Sequence, residues 1–136
     1  MKSLIICISF LLTSLISFSQ SYYKATVTEM YTYNRNSEEW ELYQKNSDTK
    51  ITVVIEDKFI SFQAKTPSMY RIYEGTKEPM NTKSLKGYRY QAKDLKEEKI
   101  VKIDIVISEE TKLVIVSIIN LDEGYNLRFY LTEIIE

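Results

Sequence analysis

From residue 25 onward the chain alternates apolar and polar side chains with a period of two, in runs of about five to ten residues, which predicts strands. In 25–33 that alternation puts Ala25, Val27, Tyr31 and Tyr33 on one face, with Glu29 sharing their parity. After the polar break NRNS, Trp40 and Leu42 lie opposite Glu39, Glu41 and Tyr43. The run ITVVIE and the run FISFQAK meet at Asp57-Lys58, so Ile51, Val53 and Ile55 are expected beside Ile60, Phe62 and Ala64 in a tight hairpin. Pro67 ends the second run because it lacks a ladder donor.

SMYRIYE follows, with Tyr70 and Ile72 read as inward. Residues 75–87, GTKEPMNTKSLKG, hold two end glycines, one proline and almost no large apolar side chain; they read as a mobile loop, longer than a hairpin needs. Alternation then resumes with Tyr88, Tyr90 and Ala92 on one face, and in 100–108 with Val101, Ile103, Ile105 and Ile107. TKLVIVSIIN is apolar on both faces, as a central strand is, and the last run places Leu127, Phe129 and Leu131 together.

These segments give about nine strands and no helix after the first twenty residues. Short polar turns favour antiparallel neighbours, since parallel pairing needs long crossovers. An open sheet of so many strands would leave its edges exposed. The expected fold is therefore all-β, an antiparallel meander of eight or nine strands curled into a small barrel, with a two-sheet sandwich as the alternative. The outline resembles a lipocalin-like cup. The glycine-x-tryptophan pattern expected near the first strand of true lipocalins is missing, because Trp40 lies in the second run behind Glu39.

The first twenty residues break this pattern. Lys2 is followed by a mostly apolar stretch from Leu4 to Ile16, which dissolves into Ser17-Phe18-Ser19-Gln20. That is the layout of a secretory leader, and it is too short for a transmembrane helix. We expect 1–19 to be a signal peptide, and 20–136 to be a single exported domain, periplasmic or extracellular. Cys7 lies early in the apolar stretch, not at its end where lipid attachment would require it, and reads as one more small apolar residue.

Removing Lys2 from the 18 basic residues leaves 17 against 19 acidic, a net of −2. Lysines and glutamates interleave, so no basic stripe points to nucleic acid, and no membrane role is expected once the leader is cut. There is no histidine, and the one cysteine is Cys7. That double absence removes most structural zinc chemistry, the Ser-His and Cys-His nucleophiles and the commonest general base. No cofactor motif or metal-ligand spacing occurs, so no cofactor or metal is implied.

The eleven tyrosines suit strands, and also suit flat ligands, because a phenol offers an apolar face and a polar tip. Tyr70, Tyr73, Tyr88 and Tyr90 flank the long loop and, with Trp40, are the candidate ligand-binding residues; no catalytic residue is assigned. Adjacent acids such as Glu97-Glu98 and Asp122-Glu123 fall at turns, where solvated carboxylates are ordinary. Asn120, Asp122 and Glu123 crowd one turn without calcium-loop spacing. The expected function is a non-enzymatic binding module, holding a small apolar or aromatic ligand or an envelope protein; an interaction or inhibitor protein is the alternative, and a carboxylate-dependent hydrolase a more distant one.

Overall fold

The computed structural model describes residues 20–133; the leader reading falls outside them. Ten strands form one antiparallel sheet: β1 (Gln20–Asn34), β2 (Glu39–Asn46), β3 (Ile51–Glu56), β4 (Phe59–Gln63), β5 (Ser68–Ile72), β6 (Glu78–Asn81), β7 (Leu85–Asp94), β8 (Ile100–Ser108), β9 (Val114–Asn120) and β10 (Tyr125–Glu133). The path β10-β9-β8-β7-β5-β4-β3-β1 closes on itself because β1 also pairs with β10. Eight strands thus make a closed barrel, and β2 and β6 are side strands. The predicted all-β meander is the observed fold, with no helix among the described residues.

The barrel expectation holds because each strand carries its apolar set on one face. Ala25, Val53, Ile60, Phe62, Tyr70, Ala92, Val101, Ile103, Val116, Ile118, Phe129 and Leu131 form the core. At its waist Phe62 lies against Phe129, ring centroids 4.5 Å apart, and meets Tyr70 edge-on at 5.8 Å. Such close-packed rings leave no channel through the middle. Asp57-Lys58 makes the expected hairpin, pairing Ile55 with Ile60.

Two features depart from the sequence reading. In β1, Ala25 pairs with Leu131 and Val27 with Tyr130, so Thr26 is an extra residue in a β-bulge. The bulge reverses the parity of the strand: Ala25 faces the core, whereas Val27, Glu29, Tyr31 and Tyr33 face outward, and Thr28 and Met30 turn inward beside Phe129 and Leu127. The second departure is the segment 75–87, read as a mobile loop. Residues Glu78–Asn81 form β6 against Arg89–Lys86, and Leu85–Gly87 already belong to β7. Backbone pairing with a neighbour outweighs the poor strand composition there.

β2 and β3 lie end to end along the same edge of β1, β3 against residues 20–25 and β2 against residues 28–34. The step between them is held by Thr49, whose hydroxyl donates to the Ala25 carbonyl at 2.8 Å. The wall is consequently open above Ile51, where β2 is paired only to β1.

Candidate functional site

With the waist filled, space remains at the two barrel ends and on the outer wall. The upper end, bounded by the turns at 64–67, 95–99 and 121–124, holds a cup of about 340 Å³. Met30 and Leu127 line it, and they also line a smaller cavity of about 170 Å³ beneath the gap beside β2, with Thr28, Gln44, Ile51 and Phe129. The bulge creates this arrangement, because only the reversed parity turns Met30 and Thr28 inward.

Two phenols stand in the upper cup, Tyr70 and Tyr125. Burial, more than the nearby Asp94 carboxylate, pushes the Tyr70 hydroxyl well above the ordinary tyrosine range. Burial likewise raises Tyr125, against the lowering effect of its hydrogen bond with Asn120. Both therefore stay protonated at neutral pH and can donate hydrogen bonds.

The acids of the rim are already engaged. Asp94 Oδ1 accepts the backbone N–H groups of Lys96 at 2.9 Å and Glu97 at 3.3 Å, closing the turn into β8. Lys99 pairs with Glu97 at 3.7 Å and also with Glu123. Asn120 Oδ1 accepts the Glu123 N–H at 3.0 Å, and Gly124 has a φ of +72°, so this acidic corner is built as a turn. Among the described residues no three Cys, Asp or Glu side chains gather as metal ligands.

The candidate residues read from the sequence are spread over three places. Tyr70 is in the upper cup. Tyr90 lines the lower cup of about 290 Å³ with Ile55, Ile72, Lys77 and Ile105. Tyr88 is close by, with the Lys77 ammonium 4.0 Å above its ring. Tyr73 continues beyond β5, where its N–H donates to the Gln91 carbonyl and its own carbonyl accepts from the Thr76 hydroxyl. Trp40 is on the outside of the β1–β2 ribbon, edge-on to Tyr33 at 5.2 Å.

The outer wall carries polar residues that the sequence reading passed over. Across the ladder, Lys45, Glu29, Arg128, Ser117, Asp104, Arg89 and Glu78 stand in register over seven strands. Asp104 has the parity of the polar face in 100–108, yet it is only 7% exposed. The hairpin of β6 and β7 folds over it, so that Met80, Thr82 and Leu85 share a cavity with Asp104, Val106, Ile115, Ser117 and Arg128. Glu29 is half-buried and accepts from Tyr31 at 3.1 Å and Tyr130 at 2.5 Å.

No family model matches the chain, and neither a curated protein nor a solved structure is found similar to it.

Proposed function

We propose that this protein is an exported, non-enzymatic binding module that seats a small ligand with an apolar or aromatic body in its upper cup. The observation that carries the reading is the meeting of the 340 Å³ cup and the 170 Å³ cavity at Met30 and Leu127, above a waist that is filled. Together they reach the size range of small-molecule pockets. Such pockets join apolar wall to polar groups; Met30, Pro67 and Leu127 supply the apolar part here, Tyr70 and Tyr125 supply donors that remain protonated, and the rim is polar. The engagement of Asp94, Glu97 and Glu123 in turn and ion-pair contacts favours binding over acid-dependent hydrolysis.

The test is a fragment screen by amide NMR using small aromatic alcohols and amines. Saturable shifts at Met30, Tyr70 and Leu127 are expected, and Leu127→Trp, which fills the cup, should remove them. Fragments that leave those amides unmoved, or that bind the variant equally, would refute the reading.

A second reading rests on β2. It is an eight-residue strand paired on one side only, with Leu42 and Tyr43 exposed, and a free edge can accept a strand from another envelope protein. If it does, Tyr43→Lys should abolish cross-linking to that protein, while a fragment site in the cup is untouched.

A further inference from the structure

We propose that the groove on the outer wall, roofed by the β6–β7 hairpin, is a separate binding site for a small carboxylate with an apolar body. The row of polar residues across the sheet supplies the argument. Arg89 and Asp104 satisfy each other through two hydrogen bonds, at 2.6 and 2.9 Å. Glu29 is taken up by two phenols. Between these closed groups stand Ser117 and Arg128, directly paired in register.

Arg128 lies over the Tyr31 ring at 4.9 Å and has no carboxylate within 4.0 Å among the described residues. Its guanidinium stacks on that ring and donates a hydrogen bond to the Tyr130 hydroxyl, and its remaining N–H groups are donors that a carboxylate can accept from. Ser117 is 6% exposed and brings a hydroxyl to the same stretch of wall. Both line a cavity of about 200 Å³, whose other walls are Met80, Thr82 and Leu85 from the β6–β7 hairpin, Val106 and Ile115 from the floor, and Asp104 beside Ser117.

The charge and the walls together select the ligand. One available cation suits a single negative charge. A dianion such as phosphate would bring a second negative charge beside the Asp104 carboxylate, which lines the same cavity and can only accept hydrogen bonds. The apolar roof and floor suit a short hydrocarbon chain, which aqueous anions lack. In the bound state the carboxylate accepts from the Arg128 guanidinium and the Ser117 hydroxyl, and its carbon chain lies between Leu85 and Ile115.

The experiment is an amide NMR titration of the protein with butyrate, with butylamine and inorganic phosphate as comparison probes. Butyrate should shift Ser117, Arg128, Val106 and Met80 saturably; butylamine and phosphate should not. Replacing Arg128→Gln should weaken butyrate by about tenfold or more, the worth of a charged bidentate contact. Ile115→Trp, which leaves the arginine in place and fills the groove, should abolish binding, and Leu127→Trp in the upper cup should leave it unchanged. Absence of butyrate shifts in the wild-type protein, equal binding by Arg128→Gln, or equal binding of phosphate would overturn the proposal. The Leu127→Trp result separates this site from the cup, so either can fail alone.

Discussion

Arg89 grips Asp104 across β7 and β8 with both prongs of its guanidinium, Nε to Oδ1 at 2.6 Å and Nη2 to Oδ2 at 2.9 Å. The carboxylate side is 10% exposed and the guanidinium side 33%, so the pair is shielded from solvent on one side and partly screened on the other. Removing the arginine strands a buried charge, which costs more than the pair itself contributes. Arg89→Met should therefore lower stability by about 2 kcal/mol, below the cost of a fully buried pair because of that screening. Arg89→Met with Asp104→Leu should recover most of the loss. Urea unfolding of the two variants decides; equal losses would show that the stranded charge is not the cause.

Gly87 lies where β7 bends over β8. A Cβ there would stand 2.0 Å from the Ile105 carbonyl oxygen and 2.6 Å from the Val106 Cα. Both are ladder backbone and cannot swing aside. Gly87→Ala should cost about 3 kcal/mol, at the upper end of overpacking effects. Gly75→Ala meets nothing within 4 Å but has a φ of +76°, so only the left-handed backbone opposes it, at about 1 kcal/mol. Melting temperatures measured side by side should rank the two.

Ile103 and Ile107 share one face of β8, yet Ile103 is wholly buried and Ile107 is half exposed at the barrel's lower rim. Ile103→Ala should cost about 3–4 kcal/mol, from lost transfer energy plus a cavity that the closed wall cannot collapse around. Ile107→Ala should cost less than about 1 kcal/mol by the same reasoning. Similar losses at both would mean that the barrel is not closed around Ile103.

Stability should fall on the alkaline side. Burial raises Tyr31, Tyr70, Tyr125 and Tyr130, with hydrogen bonding to Glu29 adding to the effect at Tyr31 and Tyr130. A group whose folded value lies above its unfolded value stabilises the fold below the unfolded value, here about 10, and loses that contribution as pH rises through the folded value. The unfolding midpoint in urea should thus be flat from about pH 7 to 9 and decline above about 10. Tyr70→Phe should make that decline shallower, and an unaltered slope would show that Tyr70 ionises in the folded barrel.

Strand identity and inward faces were legible wherever strict alternation met β-branched side chains, as at Ile51 to Ile55 and Val101 to Ile105. What alternation does not carry is a single inserted residue. Thr26 looks like an ordinary outward threonine, and only its pairing partner across β10 reveals that the parity of Val27, Glu29, Tyr31 and Tyr33 has reversed. The same blind spot hid the upper cup, since Thr28 and Met30 become inward only through that insertion. β6 was missed because Pro79 and the glycines at the segment's ends speak for a turn, whereas its order comes from β7. The burial of Asp104 behind that hairpin is likewise a tertiary event, which the polar parity of its position does not reveal.

The pairing of β1 with β10 has a temporal consequence. The 15 residues of β1 must await partners about a hundred positions later before the cylinder can shut: Tyr23 meets Glu133, and Ala25 meets Leu131. Such distant appointments make folding slow. Until the last stave arrives, both open seams stay adhesive and prone to mispairing, so shortening the chain from its far end should forfeit the whole cylinder at once, not one stave of it.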